Sequence, residues 1–181
     1  MTNKLLPVLL RFRQHSLAIQ SDIEAMYNQV RIPDYDRDAL RFFWVNDGKI
    51  THYRMTSHLF GGKWCAASST YALRRTIHDN QDIDPLVRET IERDFYVDDC
   101  LKSCIHKGQA RTVIHETPKV LQEGGFNLTK FVVNDSELLS EISEEHRAKE
   151  ARDFTPDMPG KVLGIKWNIS ADAFYFDVQI S

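Results

Sequence analysis

The order of apolar and polar positions along this chain predicts a mixed domain in which short strands alternate with amphipathic helices. Residues 5–14 have apolar positions at helical spacing, residues 16–22 form an apolar run typical of a buried strand, and residues 23–30 suit a short helix. The remaining pattern predicts strands at 39–45 and 50–55, helices at 65–79, 84–94 and 107–123, a charged helix at 135–152, and a last hairpin from 162–167 and 174–178. In this order the elements fit an α+β fold of split β-α-β type, with an antiparallel sheet and helices on one face.

Turn and cap residues set the boundaries of several of these elements. Asn46-Asp47-Gly48 is a strong hairpin signal between two strands. Asp84 is expected to cap the helix that has Pro85 at its first position, and Gly124-Gly125 to end the helix that begins near residue 107. The chain is therefore expected to have a main domain at 1–152, a linker rich in proline and glycine at 153–160, and a separate hairpin at 161–181.

The most informative chemistry lies in the run Phe95-Tyr96-Val97-Asp98-Asp99, which fits a strand, a tight turn and a second strand with two adjacent carboxylates at the tip. At about 4 Å and an effective dielectric constant near 20, the repulsion between two such charges is about 4 kcal/mol. A bound cation would remove that cost, and so would full solvation of the turn. An exposed Asp-Asp turn is the commoner arrangement, so the pair gains meaning from carboxylates elsewhere in the chain.

Asp22 supplies a third carboxylate on a separate segment. It follows the apolar run 16–21, and it can either end that strand, where a side chain reaches a cleft from rigid support, or cap the helix predicted at 23–30. Asp22, Asp98 and Asp99 together can bridge two divalent cations about 4 Å apart, an arrangement that supports nucleotidyl transfer. Because all these ligand atoms are oxygens, Mg²⁺ or Mn²⁺ is favoured over zinc.

Composition limits the function classes without choosing one. The chain has 181 residues, of which 42% are hydrophobic and 27% charged, as is ordinary for one globular domain. Its three cysteines, Cys65, Cys100 and Cys104, lack a paired C-x-x-C arrangement, so neither a disulfide framework nor a zinc site is indicated. No apolar run is long enough to cross a membrane or to act as a signal peptide. The net charge of −3 is unusual for a protein that binds nucleic acid, and it is compatible with such binding if the basic surface lies on other domains.

Short motifs follow one another in a fixed order through most of the chain. They are Val8-Leu9-Leu10-Arg11-Phe12-Arg13, Ile19-Gln20-Ser21-Asp22-Ile23-Glu24-Ala25-Met26-Tyr27, Asp36-Arg37-Asp38-Ala39-Leu40-Arg41-Phe42-Phe43-Trp44, Phe60-Gly61, Tyr71-Ala72-Leu73-Arg74-Arg75-Thr76, Phe95-Tyr96-Val97-Asp98-Asp99, Gly124-Gly125-Phe126-Asn127-Leu128-Thr129-Lys130 and Val162-Leu163-Gly164-Ile165-Lys166-Trp167. In this order and spacing they resemble the palm of a reverse transcriptase, most closely that of the BEL/Pao class of LTR retrotransposons. Each motif alone is weak evidence, whereas the ordered set is specific.

The resemblance implies catalytic roles for four residues and a nucleotide-binding role for a fifth. Asp22 and Asp98 correspond to metal ligands, with Asp99 beside them to assist the metals or the primer end. Tyr27 corresponds to the aromatic residue that closes beneath the incoming sugar and leaves no room for a 2′-hydroxyl, although it could equally be a core aromatic. Lys130 corresponds to the general acid that protonates the pyrophosphate leaving group, and its alternative is an ordinary surface lysine.

Two further segments are implied to contact substrate. Phe60 and Gly61 correspond to a loop that supports the nucleotide, but Ala66 stands where the family pattern has a proline, which weakens the expected pre-organisation of that loop. Leu163, Gly164 and Trp167 correspond to the hairpin that grips the primer terminus, and Trp167 is as well explained by core packing.

The resemblance implies an RNA or DNA primer–template and deoxynucleotides as partners, Mg²⁺ or Mn²⁺ as cofactor, and a cytoplasmic location before nuclear import. Fingers, thumb and ribonuclease H regions are expected from a longer polyprotein. Three interpretations stay open: a polymerase palm, a catalytically inactive retroelement remnant, or a module that binds nucleic acid or protein. Exposed aromatic side chains at Phe42, Phe43, Trp44 and Tyr53 would favour the binding module, although Phe42 and Trp44 share one strand face and could instead be core.

Overall fold

Nine strands and six helices make up the computed structural model, which describes residues 2–80, 82–151 and 159–175. The strands are β1 (Leu17–Ile23), β2 (Arg41–Asn46), β3 (Lys49–Arg54), β4 (Phe95–Tyr96), β5 (Asp99–Cys104), β6 (Leu128–Val133), β7 (Pro159–Val162), β8 (Ile165–Asn168) and β9 (Ala173–Tyr175). The helices are α1 (Leu5–Phe12), α2 (Met26–Gln29), α3 (Cys65–Asp79), α4 (Pro85–Arg93), α5 (Lys107–Glu123) and α6 (Ser136–Ser140), with 3₁₀ turns at Asp34–Leu40, Glu144–His146 and Lys149–Ala151.

The central sheet has the strand order β4-β5-β1-β6, and every neighbouring pair is antiparallel. This is the order of a split β-α-β fold, because β5, which follows the helical crossover, lies beside β1, with β4 beyond it at the edge, and β6 pairs with the other side of β1. The predicted α+β class is therefore confirmed, and β1 lies in the middle of the sheet between the two segments that carry the other candidate site residues.

The core lies between this sheet and the helices. Helix α5 packs against β1, β5 and β6, and α4 packs against β4 and β5. Ile19, Leu101 and Leu121 are fully buried there, and each contributes roughly 1.5–3 kcal/mol through removal of apolar surface from water. The three cysteines are buried and unpaired, so the structure has no disulfide among the residues it describes.

Several predicted boundaries agree closely with the structure. Helix α4 begins with Pro85, and the Asp84 side chain accepts a hydrogen bond from the Leu86 amide at 2.8 Å, as expected of an N-cap. Asp47 and Gly48 join β2 to β3 with positive φ angles of 49° and 75°, which the Asn-Asp-Gly signal anticipates.

The charged helix predicted at 135–152 is wrong. Only Ser136–Ser140 is α-helical, and two 3₁₀ turns follow it. The Ala148 amide donates to the Phe131 carbonyl at 3.0 Å, and Arg147 forms a parallel bridge with Phe131, so the edge of β6 holds this segment in an irregular path. Asp22 is not a helix cap either: Ala25, in a left-handed conformation, precedes α2, while Asp22 lies within β1.

The C-terminal part is a three-stranded sheet with the order β7-β8-β9, one strand more than the predicted hairpin. Pro159 and Gly160 begin β7, so they do not belong to a linker; the rest of the predicted linker, at 153–158, lies outside the described residues, as do residues 176–181. Trp167 of this sheet is completely buried against Phe12 of α1, with ring centroids 5.2 Å apart. Among the described residues, no helix is both long and apolar enough to span a membrane.

Candidate active site

The sheet register brings the three predicted carboxylates together. Asp22 of β1 lies directly opposite Asp99 of β5, and the Ile23 amide donates to the Asp98 carbonyl at 2.9 Å. Tyr96 pairs with Asp99, so Val97 and Asp98 are the two central residues of the β4–β5 turn. Directly opposite residues of an antiparallel pair share a sheet face, and Asp22 and Asp99 therefore belong to one cluster with Asp98 at its end.

The β4–β5 turn is conformationally strained. Val97 has φ 58°, a left-handed conformation that β-branched residues rarely adopt, because the branched Cβ crowds the backbone. Holding a residue in this conformation costs on the order of 1–3 kcal/mol of folding free energy, and strained residues of this kind cluster at functional sites. Here the turn places two acidic side chains beside a third one.

Lys130 reaches the same cluster from the other neighbour of β1. It too has a positive φ, 54°, and the β1–β6 pairing shifts register between Gln20 and Asp22, the mark of a β-bulge. The bulge turns the side chain so that Lys130 Nζ lies 2.8 Å from Asp22 Oδ1. The sequence pattern did not indicate this contact, because it predicted no strand at Leu128–Val133, and this segment has no glycine to mark the bulge.

Burial and neighbouring negative charges raise the pKa values of Asp98 and Asp99. Burial, followed by the charges of Asp98 and Asp22, raises the pKa of Asp99 from 3.8 to about 6. Burial also raises the pKa of Asp98, to which the Asp22 charge contributes. The hydrogen bond with Asp22 raises the pKa of Lys130, so the ammonium stays charged and partly offsets the acidic field.

The donor set fits a hard divalent cation in its chemistry. Three carboxylates that repel one another at the edge of a low-dielectric region favour a cation, and oxygen atoms are the ligands that Mg²⁺ and Mn²⁺ prefer. Within the part of the chain that the structure describes, no three Asp, Glu, His or Cys side chains already converge on one point as metal ligands. Lys130 is the cation that contacts Asp22 instead.

A cavity of about 570 Å³ adjoins the cluster, and Asp22, Asp99 and Lys130 form part of its wall. Lys166 and Tyr175 of the C-terminal sheet line it from the opposite side, with Lys166 Nζ 5.7 Å from the centre of the Tyr175 ring. These two residues were not predicted from the sequence; the pattern gave the C-terminal strands but not the side of the cleft to which they contribute.

Tyr27 and Phe60, which the resemblance assigns to nucleotide binding, contact each other. Their rings pack edge to face with centroids 4.9 Å apart, and burial together with the charge of Asp98 raises the pKa of Tyr27. Phe60 is 72% exposed and Gly61 has φ 95°, so this loop projects its ring outward. Tyr27 is thus at the rim of the acidic cluster and only partly buried, unlike a core aromatic.

The Phe60 loop rests on a pair that sequence analysis missed. Cys65 Sγ lies 3.6 Å from His58 Nδ1, and both side chains are buried. A Cβ at Gly62 would come within 2.6 Å of Cys65 Sγ, so the loop passes directly over this thiol. The loop lacks the proline expected at Ala66, but it packs closely against Cys65, and at Gly62 only a glycine permits this packing.

The proposed primer-grip residues divide into two groups. Leu163 and Gly164 form the two-residue β7–β8 turn, both with positive φ. Trp167 has no exposed surface, and its Nε1 donates to Asp172 Oδ1 at 3.1 Å. Trp167 therefore packs in the core, in line with the alternative drawn from the sequence.

No protein-family model matches the chain, and no match was found among curated proteins. Among solved structures, the chain is similar to the foamy viral protease-reverse transcriptase, a structure determined in complex with an RNA/DNA hybrid. The TM-score is 0.56 and the sequence identity is 15%, over 94% of this chain and 19% of the viral one. The likeness shows a reverse-transcriptase-like fold, and the chain spans about a fifth of the length of that protein.

Proposed function

We propose that the chain is the palm of an RNA-directed DNA polymerase of the BEL/Pao retrotransposon type, which transfers deoxynucleotides to a primer end. The observation that supports it most is the meeting of Asp22, Asp98 and Asp99 on adjacent strands of a reverse-transcriptase-like fold, with Lys130 beside them. The viral neighbour was solved with an RNA/DNA hybrid, and a substrate of that kind is part of this proposal.

The acidic cluster would hold Mg²⁺ or Mn²⁺ through the carboxylates of Asp22, Asp98 and Asp99. When bound, such ions supply Lewis-acid stabilisation of the charge on the transferring phosphate. The protein's part is positioning, because the strained β4–β5 turn and the centre of the sheet fix the carboxylates before substrate binds. The raised pKa of Asp99, about 6, means that metal binding would compete with a proton there.

Lys130 and Tyr27 would act on the nucleotide. Lys130 is held protonated by Asp22, and it can donate that proton to the pyrophosphate oxygen once the carboxylate turns to another partner. Tyr27 would select deoxyribose by steric exclusion, with its ring braced by Phe60. Replacing Tyr27 by Ala is therefore expected to increase ribonucleotide incorporation relative to deoxynucleotide incorporation.

Extension of a primer on an RNA template, with Mg²⁺ or Mn²⁺, tests the proposal. The Asp98→Asn variant should lose extension, while Asp82→Asn, the same chemical change at an exposed position remote from the cluster, should keep it. Circular dichroism of all three proteins establishes that they fold. Folded native protein without any extension would refute polymerase activity by this chain alone, and extension by Asp98→Asn would refute the assigned site.

A further inference from the structure

The β2–β3 hairpin stands away from the rest of the protein. Every residue of its two strands is exposed, although the hairpin contains Phe42, Phe43, Trp44 and Tyr53. Six large apolar side chains on twelve strand positions form an unusually apolar exposed surface, and surfaces of this kind mark binding sites. The core alternative drawn from the sequence for Phe42 and Trp44 is therefore wrong.

The register separates the hairpin into two unlike faces. Phe42 pairs with Tyr53, Trp44 with Thr51 and Asn46 with Lys49, and these six side chains share what is called here the aromatic face. The Phe42 and Tyr53 rings stack at 5.7 Å, with Trp44 next along the strand. The opposite face holds Phe43 and His52 at its centre, the aliphatic pair Val45 and Ile50 near the tip, and Arg41 and Arg54 at its base.

The hairpin is basic, whereas the whole chain is acidic. Residues 41–54 contain Arg41, Lys49 and Arg54 against the single acid Asp47, while the chain has a net charge of −3. Of these cations, Lys49 lies on the aromatic face and the two arginines lie on the opposite one. Asp38 pairs with Arg41 and Arg54, but all three side chains are at least half exposed, and pairs so exposed are worth only about 0–1 kcal/mol. Lys49, at the end of the aromatic face, makes no ion pair with any described residue.

We propose that the aromatic face binds single-stranded nucleic acid, with bases stacked on Trp44 and on the Phe42–Tyr53 pair and a phosphate at Lys49. Consecutive aromatic rings beside a cation are the combination that single strands recognise, because every base has a π-face and every linkage a negative charge. The aliphatic residues Val45 and Ile50, which suit a protein partner better, lie on the opposite face. In the polymerase proposed above, the bound nucleic-acid strand is the unpaired template. Only this identification of the ligand as template rests on the proposed function.

Binding can be measured without catalysis. The full chain is titrated into a fluorescently labelled uridine oligomer of about 12 nucleotides in EDTA, without deoxynucleotides, and anisotropy is followed at several salt concentrations. Trp44→Thr removes the central ring, and Val45→Thr is its matched control, because Trp44 and Val45 are each 63% exposed but lie on opposite faces. Neither position contributes to the core, so both variants should fold.

The expected result is binding that Trp44→Thr weakens about tenfold and Val45→Thr leaves unchanged. Lys49→Gln should lower the slope of log affinity against log salt by about 0.7, the contribution of one phosphate contact on a single strand. Absence of binding by the native chain would overturn the proposal, as would equal losses in the two threonine variants. Self-association that Trp44→Thr abolishes, with oligomer binding unaffected, would overturn it in favour of a protein interface. Because Asp98→Asn should bind as the native chain does, failure here is distinct from failure of primer extension.

Discussion

Replacing Asp99 by Asn should stabilise the fold, and it should do so only above acidic pH. Asp99 is the acid that the cluster perturbs most clearly, since burial and the charges of Asp98 and Asp22 raise its pKa from 3.8 to about 6. A pKa difference of this size corresponds to an upper limit of about 3 kcal/mol. The carboxyl is partly accessible to solvent and its field is screened, so roughly 1–2 kcal/mol is expected.

The sign follows from the order in which the two states ionise. Below 3.8, Asp99 is protonated in both the folded and the unfolded chain, and its ionisation does not affect stability. As the pH rises from 3.8 through about 6, the unfolded chain releases the proton first, and the folded state loses stability. Above that range the loss is constant, and an uncharged Asn avoids it.

Urea unfolding of native protein and Asp99→Asn, across this pH range in EDTA, measures the difference directly. The gain in unfolding free energy for Asp99→Asn over native should grow by roughly 1–2 kcal/mol between acidic and neutral pH. Asp82→Asn, an exposed site, serves as the control and should show no such growth. A gain that is independent of pH, or that shrinks toward neutral pH, would refute the electrostatic account of the cluster.

Three further outcomes are expected. Lys130→Met should raise the pKa of Asp99 above its native value, because the Lys130 ammonium lowers that pKa in the native protein. Carboxyl ¹³C NMR titration measures the Asp99 pKa, and an unchanged or lower value would contradict the effect of Lys130 on the acidic cluster. Gly124→Ala should cost about 1–3 kcal/mol in thermal unfolding, since its Cβ would lie 2.1 Å from Thr76 Oγ1, and Thr76→Ala should recover part of the loss. Asp94→Ala should cost about 3–5 kcal/mol in urea unfolding, because it leaves the buried Lys102 ammonium without its 2.8 Å partner; a loss below 1 kcal/mol would show that water reaches it.

Local signals in the sequence predicted most of the central fold. The Asn46-Asp47-Gly48 turn, the Asp84–Pro85 cap and the helices at 65–79 and 107–123 were predicted well, because turn chemistry and helical spacing depend on nearby residues. The segment after β6 was not, because a tertiary contact with the edge of β6 overrides its helix-like composition.

Prediction of the site had the same limit. Asp22, Asp98 and Asp99 were identified by motif, but their convergence depends on the pairing of β1 with β5, which no local signal in the sequence indicates. The Lys130–Asp22 contact depends on a bulge, and the His58–Cys65 contact depends on how the short loop between these two residues folds back at the start of α3. Neither feature has a periodic or compositional signature.

The docking of the C-terminal sheet on α1 has a consequence for how the chain is made. Phe12 packs on Trp167 and Phe174, and Arg13 pairs with Asp172, which is 159 residues away. The segment of α1 leaves the ribosome before the C-terminal sheet is made, so Phe12 lacks its partners Trp167 and Phe174 while the central sheet forms. Contacts of such long sequence separation slow folding and expose the intermediate to aggregation. Because α1 also packs against β4 and β5, it can join the central sheet early, and its contacts with the C-terminal sheet form last.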